Sequence, residues 1–209
     1  MKVIGLSGAQ GAGKSTLLKE LMARGWRVDN FRVSRAVQAQ LGWETLDRVM
    51  DDPNTMMEFQ NEVLRQKASH DNALTEEPGA RTMDPKGDVI LTERTFADIV
   101  AYTTHWTWEL LDRGKTTPRE AAEFLNGYVS SCVKHQATYS GVLLLPYMRD
   151  QITWQDDPNR AKLSSVDSIY EGVERFTQHR ALLTQKRYTI TAKTISDRAD
   201  QVEAFLRTL

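Results

Sequence analysis

The run Gly8-Ala9-Gln10-Gly11-Ala12-Gly13-Lys14-Ser15 constrains this chain more than any other stretch. Glycine, four residues, then Gly-Lys-Ser is the string of a phosphate-binding loop, and its surroundings fit. A short apolar run over 2–6 precedes it, and a segment over 15–24 with Leu17, Leu18, Leu21 and Met22 spaced for one helical face follows, with Gly25 as its stop. Strand, tight loop and helix are therefore expected in that order. Glycines let successive backbone N–H groups turn inward onto phosphate oxygens, and the helix N-terminus adds the positive end of its dipole. On this reading Gly8, Gln10, Gly11, Ala12, Gly13, Lys14, Ser15 and Thr16 bind the nucleotide, ATP. Lys14 neutralises its β and γ phosphates, and the Ser15 hydroxyl ligates Mg2+. Thr16 either reaches an α phosphate or caps the turn.

The rest of the chain alternates short apolar runs with helical spacing. Strands are predicted over 26–28, 88–92, 141–145 and 188–191, and helices over 34–41, 53–75, 96–112, 118–135 and 166–185. A final helix carries Val202, Phe205, Leu206 and Leu209, while 76–87 and the polar stretch 149–164 read as loops. Strands separated by helices imply an α/β, three-layer fold of the P-loop kinase type, with a five-stranded parallel sheet flanked by helices and a ligand cleft at the strands' carboxyl ends. At 209 residues, 40% hydrophobic and 26% charged, the chain suits one domain over 1–209 with a full core. No apolar run reaches the roughly 18 residues of a membrane helix, so no membrane partner and a cytoplasmic location are expected. Cys132 reads as a core thiol, and His70, His105, His135 and His179 show no metal spacing.

Net charge is only −1, yet it is unevenly spread. Up to residue 35, Lys2, Lys14, Lys19, Arg24, Arg27, Arg32 and Arg35 face only Glu20 and Asp29, a net +5. That surplus is either a solvated surface or the seat of an anionic ligand.

A phosphate loop does not say what is done with the nucleotide. The guanine-reading Asn-Lys-x-Asp segment of GTPases is absent, and motor and chaperone ATPases usually carry an apolar strand ending in Asp or Asp-Glu within a larger chain, so the small size of this chain and its next motif favour a kinase. Thr92-Glu93-Arg94-Thr95 ends a predicted strand, which puts Glu93 and Arg94 over the loop if that strand neighbours the first. A carboxylate there holds Mg2+, and an arginine neutralises the transferred phosphoryl group or orients the acceptor. A surface ion pair is the alternative. Gln60, after Phe59, shares a helical face with Met56, Val63, Leu64 and Lys67, so its amide either pairs with a base edge or bonds to backbone or water.

In these residues the chain resembles the deoxynucleoside kinase and thymidylate kinase group, where a strand ends in Glu-Arg-Ser or Asp-Arg and a glutamine after phenylalanine reads the acceptor base. The resemblance implies Gln60 and Arg94 as acceptor-binding residues and a carboxylate after the second strand as catalytic base, here Asp29 beside Asn30, while Arg35, in the +5 basic segment with Arg24, Arg27 and Arg32, is the candidate for contacts to the backbone of a DNA acceptor. Asp98 is the alternative partner for Arg94. Trp154-Gln155-Asp156-Asp157-Pro158-Asn159-Arg160 is similar to the lid of small P-loop kinases, with Arg160 as the lid cation near 149–164 and Arg149 or Lys162 behind it. Trp43, Trp106 and Trp108 read as core or cleft wall, and the last two cannot face one ligand from one helix. The chain also resembles the viral branch of the thymidylate kinase family, whose members include kinases of 5-hydroxymethyluracil in phage DNA. The expected function is an ATP- and Mg2+-dependent kinase in the (host) cytoplasm acting on a nucleotide-type acceptor, modified DNA among the forms it takes. A free deoxynucleoside or monophosphate kinase and a regulatory NTP-binding module are the alternatives. The oligomeric state stays open, a homodimer included.

Overall fold

The computed structural model describes residues 1–76, 85–147 and 165–209. Its centre is β1 (Lys2–Ser7), buried from Val3 to Ser7. β3 (Val89–Glu93) and β4 (Gly141–Leu144) pair with it on either side, β2 (Arg27–Asp29) lies outside β3 and β5 (Arg187–Thr189) outside β4. All four pairings are parallel, in the order β2-β3-β1-β4-β5. A parallel sheet is buried on both faces, which is why these strands are apolar runs rather than alternating ones.

Side chains on a strand point alternately to opposite faces, and that alternation divides the core in two. Ile4, Leu6, Val89, Leu91 and Leu143 turn to the face covered by α1 (Lys14–Ala23) and α7 (Ile195–Leu206). Val3, Ile90, Val142 and Leu144 turn to the other face, covered by α3 (Pro53–Glu76), α4 (Phe96–Asp112), α5 (Pro118–Gln136) and α6 (Val166–Thr177). Extending the alternation one step sends Thr92 to the α3 face and Glu93 to the α1 face. α2 (Val33–Gln40) packs on α3. Cys132 is fully buried, and its thiol is pushed well above the ordinary cysteine range by that burial.

Three expectations need correction. The helix predicted over 166–185 ends at Thr177, because His179 takes an extended backbone and its Nδ1 accepts from the Ala181 N–H, starting a separate 3-10 turn at Arg180–Leu182. Leu209 lies beyond α7 rather than on it. Met22 is 58% exposed, while the α1 residues turned to the sheet are Leu17, Leu18 and Leu21. An unexpected 3-10 turn occupies Leu46–Met50. Most of the predicted loop over 76–87 and the whole lid segment 149–164, with Arg160, Arg149 and Lys162, lie outside the described residues.

Candidate nucleotide site

The phosphate loop leaves β1 at Ser7 and enters α1 at Lys14. Its glycines are placed by necessity. Gly8 has φ 155°, and a Cβ there would stand 2.4 Å from the Leu145 carbonyl oxygen; Gly13, the cap of α1, has φ 90°. Asp98 fixes the start of the loop, its carboxylate accepting from the Ser7 hydroxyl at 2.6 Å and the Gly8 N–H at 3.1 Å. The same carboxylate accepts from the Thr95 N–H at 2.9 Å and closes the capping box of α4. Its hydrogen bonds thus go to the loop and the helix cap, not to Arg94 as the sequence reading allowed.

The Lys14 ammonium, 5% exposed, donates to the carbonyls of Gly8 and Ala9 inside the loop. Burial, aided by the positive Arg94, brings its pKa down to about 8. The Ser15 hydroxyl donates to both carboxylate oxygens of Glu93, at 3.1 and 3.0 Å. β1–β3 pairing makes this possible, since Glu93 stands opposite Leu6 in the register and points to the α1 face. Arg94 follows in a left-handed conformation, φ 66°, with its N–H still donating to the Leu6 carbonyl at 3.0 Å. A non-glycine residue is strained there by about 1–3 kcal/mol. The guanidinium lies 5.1 Å from the centre of the Tyr102 ring, and although burial opposes its charge, Tyr102, Asp98 and Glu93 outweigh burial and raise its pKa.

Sequence reasoning missed Arg198. This α7 side chain, 5% exposed, donates from Nε to the Ala192 carbonyl at 2.8 Å and from Nη1 to the Ala12 carbonyl at 3.3 Å. It ties the β5–α7 loop to the phosphate loop. In sequence it is one more arginine on a polar helix, without a local signal.

Other expected residues fall elsewhere. Asp29, the last residue of β2, has both oxygens engaged: Oδ2 accepts from the Thr92 hydroxyl at 2.9 Å and Oδ1 faces His70 Nε2 at 3.0 Å. Thr92 in turn accepts from the buried Lys67 ammonium at 3.1 Å, which also pairs with Asp71 Oδ1 at 2.9 Å, while Asp71 Oδ2 accepts from Tyr139. Gln60 is buried in the helical layer, where the Tyr128 hydroxyl lies 2.9 Å from its backbone oxygen and 3.3 Å from Oε1. The structure joins it to α5 rather than to the loop. Gln10 and Gly11 are half-buried in the loop, Ala12 is buried, and Thr16 is exposed on α1. Trp43 and Trp106 are half-buried about Phe59, with ring centres 5.3 and 6.1 Å away, whereas Trp108 is 54% exposed.

The basic surplus is not one patch. Arg24 is bound to Glu20 at 2.9 Å, Asp200 at 2.5 Å and Ser196 at 3.0 Å, which locks α1 to α7. Arg27 begins β2 and so sits at the rim opposite the phosphate loop, while exposed Arg32 and Arg35 follow the strand's carboxyl end.

The family model for the AAA domain, AAA_28, matches residues 3–196. The chain belongs to this AAA domain family. With the loop, Lys14, Ser15 and Glu93 assembled as described, it is a nucleotide-binding domain of the P-loop NTPase type. No curated protein matched the chain. Among solved structures it is similar to NadR protein in complex with NR, with a TM-score of 0.66 and 13% identity over 99% of this chain. It spans about half of that longer chain, 52%, and the likeness is one of fold. Among the described residues of this AAA domain protein, no helix is long and apolar enough to cross a membrane.

Proposed function

We propose that this AAA domain protein is a phosphotransferase that moves the γ phosphoryl group of ATP to a nucleotide-type acceptor. What carries the reading is the meeting of Ser15 with Glu93 at 3.0–3.1 Å beside the Lys14 ammonium and Arg94. Hydroxyl and carboxylate oxygens are the hard donors that Mg2+ prefers, so Ser15 and Glu93 fit the ion. Bound there, Mg2+ neutralises charge on the phosphate oxygens. Lys14 supplies a fixed positive charge in the hollow of the loop. Arg94, held over the carboxyl end of β3 by its strained backbone, supplies a second charge on the acceptor side. Phosphoryl transfer passes through a loose transition state, so positioned charge of this kind accounts for most of the rate. Arg160 belongs to the same proposal as the lid cation.

The acceptor we favour is the hydroxymethyl group of 5-hydroxymethyluracil in phage DNA. Its support is the family resemblance and the exposed Arg32 and Arg35 on the rim that also carries Asp29. The engagement of Arg24 and the remote position of Arg27 narrow that support. A free deoxynucleoside or its monophosphate is the competing acceptor, and Gln60 is retained as the base-reading residue in either case.

The deciding experiment incubates the protein with γ-labelled ATP, Mg2+ and a panel of thymidine, thymidine monophosphate, NR, and plain or hydroxymethylated DNA. Label is expected on hydroxymethylated DNA, with activity falling steeply between roughly 50 and 200 mM salt because each phosphate contact adds a slope near −0.9. Label on the small molecules alone replaces the DNA acceptor. Lys14→Ala is expected to lose transfer by about a hundredfold or more with the fold intact, and unchanged turnover in that variant refutes the kinase reading.

A further inference from the structure

Among the described residues, no carboxylate holds the half-buried Arg94 guanidinium in place. Glu93 turns both oxygens to the Ser15 hydroxyl, and Asp98 turns its own to Ser7, Gly8 and Thr95. We infer that Tyr102 is the positioning residue of Arg94, fixing the guanidinium beside the phosphate loop and leaving its N–H groups for the transferred phosphoryl group or the acceptor; this rests on the phosphotransferase reading above.

The backbone places Arg94 next to the loop. Its N–H donates to the carbonyl of Leu6, one residue before the Ser7 from which the loop departs. A φ of 66° breaks the course of β3 at that point, and the guanidinium comes to lie 5.1 Å from the centre of the Tyr102 ring. Local preference does not favour that backbone for an arginine, so contacts elsewhere must hold it. An aromatic ring attracts a guanidinium at this distance, the more so the less water reaches the pair. Unlike a carboxylate, the ring does so without using up the N–H donors.

The Tyr102 hydroxyl is a second observation. It is shut off from water and makes no hydrogen bond of regular geometry, an arrangement that a phenylalanine would avoid. Packing alone therefore does not explain a tyrosine here. The group that the hydroxyl acts on is the Arg94 guanidinium, whose charge it favours.

Placement on α4 is the third. Asp98, Tyr102 and Trp106 follow one another at intervals of four residues and so lie along one side of the helix. Asp98 grips the start of the loop, Tyr102 meets Arg94, and Trp106 backs the Tyr102 ring with centres 6.1 Å apart while resting on Phe59. One rigid helix thus sets the distance between the phosphate loop and the arginine. A guanidinium already stacked loses little rotamer freedom at each turnover, whereas an unsupported one must be ordered every time.

The test is a double-mutant cycle, run on whichever member of the acceptor panel wild type phosphorylates fastest, with melting temperatures measured alongside. Tyr102→Leu is expected to lower kcat about thirtyfold, with KM for ATP unchanged because Asp98 and Arg198 still hold the loop. In an Arg94→Ala background the same substitution should change kcat by less than about twofold, since the residue that Tyr102 positions is gone. Tyr102→Phe keeps the ring and should lose only about threefold, a loss likewise absent once Arg94 is removed. It is carried through the same cycle, so the assignment stays decidable even where Tyr102→Leu does not fold. Losses of equal size in both backgrounds, or no loss in the variants that fold, make Tyr102 a packing residue and overturn the assignment while leaving the kinase reading intact. A wild type that labels no acceptor overturns both.

Discussion

The Lys14 ammonium has a pKa of about 8, lowered by burial and by Arg94, so it is about half protonated at pH 8. A polyphosphate in the loop favours the charged form. Nucleotide binding at pH 8 should therefore take up as much as about half a proton, seen as a dependence of the calorimetric binding heat on the ionisation enthalpy of the buffer. Arg94→Ala removes the like charge, so Lys14 titrates higher and the uptake at pH 8 shrinks; an unchanged uptake would show that burial alone sets the value. The same shift fixes the sign of a stability effect in the nucleotide-free protein. The folded state holds its proton less tightly than the unfolded chain, whose lysine titrates at the ordinary 10.5. Between pH 8 and 10.5 the unfolded chain binds more protons, so this group's contribution to stability rises with pH. Below pH 8 its burial costs roughly 3 kcal/mol.

The contact of α3 with β3 is ionic as well as apolar. Lys67, fully buried, pairs with Asp71 on its own helix and reaches Thr92 on the strand. Removing one member of a buried pair leaves the other uncompensated and costs about 3–5 kcal/mol, whereas replacing both is far cheaper. Lys67→Met should lose stability in that range by urea unfolding, and Lys67→Met with Asp71→Asn should recover more than half of it, because asparagine still accepts from Tyr139. Helix spacing alone puts Lys67 on the same face as Gln60, but its strand partner is set by which strand α3 crosses. That pattern recurs throughout the molecule. The loop, Ser15, Glu93 and the limits of α4 and α3 were legible because strand, glycine and cap signals are local, with Thr95 and Asp98 forming a capping box four residues long. Asp29 was found in its place but not in its state, since His70 lies 41 residues away and Thr92 63. Gln60 was correctly read as sitting beside an apolar surface, but Tyr128, which faces it, is 68 residues on. The overextended α6 came from apolar spacing that continues past the point where the His179 backbone breaks the helix.

At the scale of the molecule the sheet separates two faces. The α1/α7 face carries the phosphate loop, Ser15 and Glu93, and the α3 face carries Thr92, Asp29 and His70. One residue step along β3 passes from one to the other. Because Arg198 braces the phosphate loop on the first through Ala12, Arg198→Ala should raise the KM for ATP about tenfold and leave the acceptor KM unchanged, a loss in the range of one charge-assisted hydrogen bond. Equal changes in both constants would mean that α7 supports the whole sheet rather than the loop. The brace also spans 186 residues of chain. At 5–20 residues per second a ribosome spends roughly 10–40 s between making the loop and making the arginine that holds it. The loop's own residues are therefore complete long before the brace that completes the cradle, which forms only after α7 has been made.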